Sequence, residues 1–327
     1  MVCLSPILFI IPTQTIIRMI TIVGPTACGK TTLAVALASR LDTEIISGDS
    51  RQVYRGMDIG TGKDISEYTV NGRTIPHHLI DIVPAGVKYT VYDFQHDFLP
   101  VYQDIISRGK EPVFCGGSGL YVESILRSYR LFDVPANQTL RDSLQDKSLD
   151  ELTAILSSFK VLHNTTDTDT AQRAIRAIEI ETFYKDLPAE QRSFPQIDSV
   201  VFGIDIPRDL RRERITRRLH SRLREGMVEE VQQLLDNGIH PEDLIYYGLE
   251  YKFLTLYLTG RMSYDQMVHD LEIAIHQFAK RQMTWFRGME RRGIHIHWID
   301  GTVTPEENVN NIIRITETHQ TKNKDSR

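Results

Sequence analysis

The sequence predicts an α/β protein with a doubly wound parallel sheet and a helical insertion. Three observations lead to this class. The stretch "TIVGPTACGKTTLAVALASRL", residues 21–41, runs from an apolar segment through a glycine-rich loop into a segment with helical periodicity. Further apolar runs alternate with helical stretches, and strand signals disappear between residues 129 and 199. Alternating strands and helices favour a parallel sheet with its ligand at the carboxyl ends of the strands.

The glycine-rich loop has the spacing G-x-x-x-x-G-K-T of a phosphate-binding loop, or P-loop. Its backbone N–H groups would form an anion-binding nest, Lys30 adds a positive charge, and the Thr31 hydroxyl can bind Mg²⁺ on the phosphates. We therefore expect a P-loop NTPase-like sheet that binds a diphosphate or triphosphate. The predicted phosphate site comprises Gly24, Pro25, Thr26, Ala27, Cys28, Gly29, Lys30 and Thr31.

Hydrophobic periodicity places the remaining elements. Residues 20–23 form a predicted first strand, and further strands are predicted at 44–47, 78–82, 112–117, 200–206 and 294–299. The helix after the P-loop is expected to bury a face formed by Leu33, Leu37, Ala38 and Leu41.

Composition indicates an ordinary globular protein of 327 residues, 41% hydrophobic and 25% charged. A net charge of −5 argues against a chain that binds nucleic acid over its whole surface, but it permits a local basic surface. Cys3, Cys28 and Cys115 form no C-x-x-C pair, so neither a disulfide framework nor a zinc site is implied. We expect a cytoplasmic setting and a monomer.

The chain divides into five predicted segments. Residues 1–18 are an apolar extension that we expect to be unstructured, with translation starting at Met19; a short membrane or organelle signal is the alternative, although the run is too short and too interrupted by proline to span a membrane. Residues 19–128 form the first part of the P-loop core, 129–199 the helical insertion and 200–315 the second part of the core. Residues 316–327 form a polar tail that we expect to be disordered.

The stretch "SGDSRQVYRGMDIGTGKD" follows the second predicted strand. Asp49 at the end of that strand could accept a proton from a nucleophile, in a small-molecule kinase as well as in other transferases. Ser50, Arg51 and Gln52 suit a nucleobase and its backbone. Alone, Asp49 would more often be a helix cap or a solvated acid. A motor ATPase is disfavoured, because only Asp81 in "LID" resembles the acid that would help bind its magnesium.

The motifs "GPTACGKTTLA", "DSRQVYRGMDIGTGK", "HHLIDI", "GGSGLYV", "QRAIRAIEI" and "AKRQMTWFRG" occur in the order found in tRNA dimethylallyltransferases, also called tRNA isopentenyltransferases. The chain resembles this family over residues 19–300. The resemblance implies transfer of a dimethylallyl group from dimethylallyl diphosphate to the exocyclic amine of the adenine 3′ of the anticodon. The P-loop would then hold the donor diphosphate with Mg²⁺, and not ATP. Eukaryotic relatives often add a C-terminal zinc finger; because no cysteine follows Cys115, we expect none here, which favours the bacterial form.

The resemblance also implies roles for individual residues. Asp49 would be the base, Lys30 would assist catalysis at the diphosphate, and Ser118 would place a hydroxyl in the reaction channel, where the family usually has threonine. A helix N-cap is the alternative for Ser118. Arg214 and Arg218, one turn apart, would face the diphosphate. Contacts with tRNA would come from Asp49, Ser50, Arg51, Gln52, Ser118 and Arg141.

Two further helices carry expected tRNA contacts. In "TAQRAIRAIEI", Gln172, Arg173 and Arg176 share a polar stripe, while Ala174, Ile175 and Ile178 point mostly elsewhere; the family motif counts all of residues 172–176 as tRNA contacts. The alternative is a solvated face with Arg–Glu pairs. The last long helix sets Lys280, Thr284 and Arg287 along one face, with Arg281 beside them, and is expected to bury Met267, Leu271, Ala274 and Phe278. The predicted tRNA contacts on this helix are Lys280, Arg281 and Arg287.

Two alternatives remain open from the sequence. One is a small-molecule kinase that uses ATP, with Asp49 activating a hydroxyl. The other is a nucleotide-regulated RNA-binding protein without catalysis.

The histidines give no sign of a metal site. Adjacent histidines such as His77 and His78 show no metal-ligand pattern, and His276 replaces a cation that many family members carry.

Overall fold

A six-stranded parallel sheet lies at the centre of the larger of two units in the computed structural model, which describes residues 19–162, 166–185 and 194–325. Its strand order is β10-β9-β1-β8-β2-β6, with every neighbouring pair parallel. Two small sheets pair β3 with β7 and β4 with β5. The strands are β1 Met19–Val23, β2 Ile45–Ser47, β3 Tyr54–Arg55, β4 Thr69–Val70, β5 Arg73–Thr74, β6 His77–His78, β7 Val83–Pro84, β8 Val113–Gly116, β9 Ser199–Asp205 and β10 Ile296–Asp300.

Helices connect these strands and make up the second unit. They are α1 Lys30–Leu41, α2 Val91–Ser107, α3 Gly119–Leu126, α4 Gln138–Leu144, α5 Leu149–Phe159, α6 Ala171–Lys185, α7 Arg208–Arg224, α8 Met227–Asp236, α9 Pro241–Tyr246, α10 Leu249–Leu258, α11 Tyr264–Arg291 and α12 Pro305–Asp325. Among the described residues, no helix is long and apolar enough to cross a membrane.

The central sheet is buried on both sides, as parallel sheets usually are. All five residues of β1 are buried, and α1 packs Leu33, Leu37 and Ala38 into the same core cluster as Ile20 and Ile22. The predicted helix face is therefore confirmed for these three residues. It is wrong for Leu41, which is 37% exposed because it occupies the last turn, where the chain leaves the sheet.

The strand predicted at 78–82 is wrong. Only His77–His78 pair with β2, after which Leu79 and Asp81 take left-handed backbone conformations with φ of 61° and 56°. A left-handed residue cannot continue a strand. The apolar pattern there reflects burial of Leu79 within an irregular turn.

The second unit spans residues 129–195. It begins where the sequence predicts an insertion and ends four residues before the predicted boundary at 199, because Ser199 already opens β9. Its core packs α5 against α6 through Leu152, Leu156, Ala174 and Ile178.

The C-terminal helix α12 continues to Asp325, so the disordered tail expected from residue 316 is wrong for residues 316–325. Val309 and Ile312 anchor this helix in the main core, and Thr316 is buried one turn later. An amphipathic helix anchored in this way can extend into a polar sequence that would not form a helix alone. The extension at 1–18 lies outside the described residues.

Candidate active site

The P-loop connects β1 to α1 and turns sharply at its tip. Ala27 has φ of 61° and Gly29 φ of 90°, and Gly29 occupies the N-cap position of α1. No side chain caps the helix, so the N–H groups of its first turn are left for another acceptor. The positive end of the helix dipole and these N–H groups together suit an anion.

Lys30 lies in the first turn of α1 and is half-buried. Its Nζ donates a hydrogen bond to the backbone carbonyl of Pro25 at 2.7 Å, and the Cys28 Sγ is 4.0 Å away. Both partners are uncharged. A phosphate that entered the loop could therefore take over the ammonium group without breaking an ion pair.

Asp49 follows β2 in a loop, and no described helix begins at this residue, so the helix-cap alternative is wrong. Its Oδ1 accepts the N–H of Arg51 at 2.9 Å, and its own N–H lies 3.4 Å from the Ser47 Oγ. Within the described part of the chain, its Oδ2 accepts no hydrogen bond. The half-buried carboxylate is thus oriented through one oxygen and leaves the other for a substrate.

Ser118 joins the loop after β8 to the loop after β2. Its Oγ accepts the N–H of Ser50 at 2.9 Å and donates to the Ser50 hydroxyl at 3.1 Å. Ser118 does occupy the N-cap position of α3, as the alternative expected, but its hydroxyl makes no capping hydrogen bond to that helix. A Cβ on Gly116 would lie 2.5 Å from the carbonyl oxygen of Gly48, which explains why glycine is required where these two loops meet.

Gln282 on α11 connects the P-loop to the Ser118 loop. Its Oε1 accepts the N–H of Thr26 at 2.8 Å, and its Nε2 donates to the carbonyl of Gly117 at 2.9 Å. The side chain is buried. Sequence reasoning missed this residue, although an amide among the apolar positions 271, 275, 279 and 286 of the helix was a usable signal.

Gln52 supports the loop from inside. Its Oε1 accepts the Ser47 hydroxyl at 3.1 Å, and its Nε2 donates to the carbonyl of Gly62 at 3.1 Å. The expected contact between its amide and a nucleobase would require these bonds to break. The guanidinium of Arg51, in contrast, lies 5.8 Å from the ring of exposed Tyr246, while the Arg51 backbone N–H donates to Asp49.

The "DIGTGK" part of the second motif is structural. The side chain of Lys63 is 0% exposed, and its Nζ donates to the Tyr54 carbonyl, to Asp58 at 2.7 Å and to Asp81. Asp81, the residue that most resembled a magnesium-binding acid, is therefore engaged by this lysine.

Glu230 fixes the same turn through its carboxylate. It accepts the N–H groups of Asp58, Ile59 and Gly60 at 2.8, 2.7 and 3.1 Å. This contact could not be expected from local sequence patterns, because Glu230 lies about 170 residues away along the chain.

Arg218 lies beside the P-loop, since it lines a small cavity together with Thr26 and Ala27. Its Nη2 is 2.7 Å from Asp64, which Arg222 also approaches at 3.3 Å. Glu250 lines the same cavity, and its burial raises the pKa of its carboxyl group. Arg214 is half-buried one turn earlier on α7.

The outer face of α11 carries Lys280, Thr284 and Arg287 as predicted, and all three are exposed. They line a groove of about 690 Å³. The inward face buries Met267 and Leu271, and Ala274 is half-buried, but Phe278 is 39% exposed and lies 5.9 Å from the guanidinium of Arg281. Ala279 takes the buried position instead, because it and Ile275 continue the inward stripe.

In the second unit, two predicted tRNA contacts have an internal partner. Arg141 and Arg176 both pair with Glu179, whose side chain is 1% exposed. Burial raises the pKa of Glu179, but hydrogen bonds from Arg141, the Asn137 N–H and Arg176 outweigh it and lower the pKa to about 2.

The other residues of the predicted stripe divide in two. Gln172 and Arg173 are exposed, and Arg173 pairs with Asp169. Ala174 is fully buried and Ile175 packs partly buried against the core of the unit, so the expected tRNA contact is wrong for the Ala174 side chain. The described residues contain no group of three or more histidine, cysteine or acidic side chains that could hold a metal.

Comparison with protein families gives two matches. The model described as IPP transferase matches residues 52–289, and the model described as isopentenyl transferase matches residues 17–75. The first match covers more than half of the chain.

Individual relatives agree with the family matches. The chain is 64% identical to tRNA dimethylallyltransferase 2 of Bacteroides fragilis over 292 residues, which cover 89% of this chain and 95% of that protein. It is 62% identical to tRNA dimethylallyltransferase 1 of Parabacteroides distasonis over 91% of this chain and 97% of the relative. Among solved structures, the full-length tRNA isopentenylpyrophosphate transferase of Bacillus halodurans matches with a TM-score of 0.69 and 32% identity, covering 94% of this chain and 98% of the other.

Proposed function

Because the chain belongs to the IPP transferase family, that of the tRNA dimethylallyltransferases, we propose that it moves a dimethylallyl group from dimethylallyl diphosphate to the exocyclic amine of the adenine 3′ of the anticodon. Diphosphate is the second product. The family membership supports this prenyl transfer and gives no support to the kinase alternative.

One observation carries the assignment of the site. The P-loop follows β1, Ser118 follows β8, and Asp49 follows β2, and these three strands are neighbours in the sheet. A phosphate-bearing donor and a proton acceptor are thereby brought to one edge of the sheet. Gln282 holds two of these loops together, and the Ser118–Ser50 contact holds the third.

The proposed reaction is a displacement at the allylic carbon. The adenine nitrogen forms a bond to that carbon as the carbon–oxygen bond to diphosphate breaks, and the electron pair leaves with the diphosphate. The amine proton passes to Asp49, which is oriented by the Arg51 N–H. Lys30, Arg218 and the P-loop N–H groups would stabilise the charge that develops on the leaving group. Arg218 would have to exchange its contact with Asp64 for this purpose.

The residues present fit a magnesium ion held mainly by the donor. Thr31 in the first turn of α1 has a half-buried hydroxyl that makes no hydrogen bond to any described residue. Mg²⁺ usually combines few protein oxygens with substrate phosphates and water. When bound, the ion would neutralise charge on the departing diphosphate.

The acceptor adenine must leave the stack of the anticodon loop to reach Asp49, at a cost of a few kcal/mol. Exposed cations and amides on the protein would offset this cost by contacting phosphates. We favour Gln172 and Arg173 on the insertion and Lys280 and Arg287 on α11, because their side chains are exposed. Arg141 and Arg176 are weaker candidates, since Glu179 engages both. We further propose that the enzyme acts as a monomer in the cytoplasm.

The experiment is an incubation of the protein with unmodified tRNA, Mg²⁺ and dimethylallyl diphosphate labelled in the isoprenoid. We expect label in the RNA and one diphosphate released per transfer, with no requirement for ATP. An Asp49→Asn variant should bind tRNA and donor yet transfer little label. Label that never enters RNA, together with phosphoryl transfer from ATP to a small molecule, would support the kinase instead. Tight tRNA binding without transfer would support the non-catalytic RNA-binding alternative.

A further inference from the structure

The groove beside α11 has a lining that the catalytic site does not use. It lies where two neighbouring strands end, at Asp205 of β9 and Asp300 of β10, and its floor includes Met283 and Trp298. Its walls are the first turn of α7 and the outer face of α11. The basic residues of these walls are Arg208, Arg211, Lys280 and Arg287.

The charges of these walls are not compensated internally. Across the parts of the chain that the structure describes, none of the four cations makes an ion pair, whereas Arg217 and Arg218 on α7 pair with Glu213 and Asp64. Four cations face two carboxylates in the groove, and Asp300 Oδ1 already accepts two hydrogen bonds from Thr302. Like charges held together without partners repel each other and favour an anion between them.

The position of the groove indicates which anion it takes. In the sheet, β9 and β10 lie on one side of the P-loop strand β1, while β8 and β2, which carry Ser118 and Asp49, lie on the other. At about 4.8 Å between strands, β9 is three positions and roughly 14 Å from β2, and β10 is about 19 Å from it. No P-loop residue lines the groove, and the structure describes that loop in full, so a donor diphosphate bound in the P-loop would lie outside the groove. A polyanion whose reacting base lies at Asp49 can extend past the P-loop to reach it.

We propose that this groove is a second phosphate-binding site for the tRNA backbone, with Arg208 and Arg211 of α7 contacting phosphates of nucleotides outside the one that is modified. The proposal rests on the proposed function for the identity of the polyanion. The site would increase the affinity for tRNA and fix the position of the tRNA on the protein, because phosphate contacts position RNA without recognising sequence.

The test compares two double variants of α7 by binding of fluorescently labelled, unmodified tRNA at a series of salt concentrations. Arg208→Ala with Arg211→Ala removes the groove cations. Arg217→Ala with Arg224→Ala removes the same charge from the opposite face of the same helix, where both arginines are exposed. Each lost phosphate contact should reduce the slope of log Kd against log salt by about 0.7, so the groove variant should lose about 1.4. The control should keep the wild-type slope.

Two further arms separate the outcomes. Arg208→Lys with Arg211→Lys should retain most of the slope, which distinguishes phosphate binding from packing. The Kd for dimethylallyl diphosphate should be unchanged in the groove variant; a weakened donor with an unchanged tRNA slope would overturn the proposal and make the groove part of the donor route. Equal slopes for the groove and control variants would also overturn it. These arms measure binding and not prenyl transfer. The groove proposal can therefore be overturned although the wild type transfers the dimethylallyl group, and it can hold although no transfer is detected.

Discussion

Two lysines in this chain follow glycine in similar motifs, yet their surroundings are opposite. Lys30 in "ACGK" is half-buried at the P-loop, and its ammonium group contacts a backbone carbonyl. Lys63 in "GTGK" is fully buried, and two carboxylates and a carbonyl surround its ammonium group. A motif typical of a family therefore does not by itself show whether its lysine binds a ligand or stabilises the fold. A lysine with internal carboxylate partners stabilises the fold, whereas one without them remains available to an anionic ligand.

The largest effects are expected from two acids, Asp49 in the candidate active site and Asp81 beside Lys63. Asp49→Asn should lower the rate of prenyl transfer by about 10²- to 10⁴-fold, the usual contribution of a general base, with little change in stability because Asp49 has no ion-pair partner among the described residues. Asp81→Asn should instead destabilise the protein, since Asp81 pairs with buried Lys63. Single-turnover rates and urea unfolding of both variants check this. A normal transfer rate for Asp49→Asn would remove it from the mechanism.

Lys63→Met tests the structural side of the comparison. Removing one partner of a buried ion pair leaves the other uncompensated, so the free energy of unfolding should fall by about 3–5 kcal/mol. At a temperature where the variant is folded, its donor Kd should match the wild type. Urea denaturation measures the first quantity and equilibrium dialysis with labelled donor the second. Stability equal to that of the wild type would mean that the carboxylates of Asp58 and Asp81 do not depend on this lysine.

Lys30→Ala tests the other side. Hydrogen bonds to charged groups contribute about 1.5–3 kcal/mol, so the Kd for dimethylallyl diphosphate should rise about 10- to 100-fold. Stability should change little, because only the contacts with the Pro25 carbonyl and the Cys28 Sγ are lost. The Kd for tRNA, measured without donor, is the control and should stay near the wild-type value. Equal weakening of both ligands would contradict a dedicated donor site.

Glu179 in the insertion is a buried carboxylate that pairs with both Arg141 and Arg176. Its pKa is about 2 in the folded protein, below the ordinary value of 4.5. The unfolded chain therefore binds this proton more readily, and the stabilisation is present above about pH 4.5 and is lost as the pH falls towards 2. Glu179→Gln should be less stable at pH 7, with a smaller loss on acidification. Thermal unfolding from pH 7 to pH 3 checks this, and parallel curves for both proteins would contradict it.

The sequence predicted those parts of the molecule that depend on local pattern. The P-loop, five of the six sheet strands and the polar face of α11 follow from spacing and periodicity, and the structure contains them. The strand expected at 78–82 failed because periodicity does not report left-handed residues such as Asp81. The expected burial failed for Leu41 because it is the last residue of α1, and for Phe278 because the inward stripe of α11 runs through Ile275 and Ala279.

The contacts that assemble the site could not be predicted from the sequence, because they join residues that are far apart along the chain. Gln282 meets Thr26 across 256 residues of chain, and Glu230 meets Ile59 across 171. Such pairs are determined by how helices pack on the sheet, which a single sequence does not specify. Partners also distinguish the arginines, which look alike in sequence: Arg141 and Arg176 share the buried carboxylate of Glu179, whereas Arg173 pairs with the exposed Asp169.

We propose that the donor on Lys30 and the adenine beside Asp49 meet in one site. A single-turnover reaction of the wild type with donor and tRNA, followed by nuclease digestion and mass spectrometry of the nucleosides, tests this. We expect one adenosine, 3′ of the anticodon, to gain the mass of a dimethylallyl group, and Asp49→Asn, with both ligands bound, to form this product at least about 10²-fold more slowly. Modification at another nucleoside, or an equal rate in the variant, would contradict it.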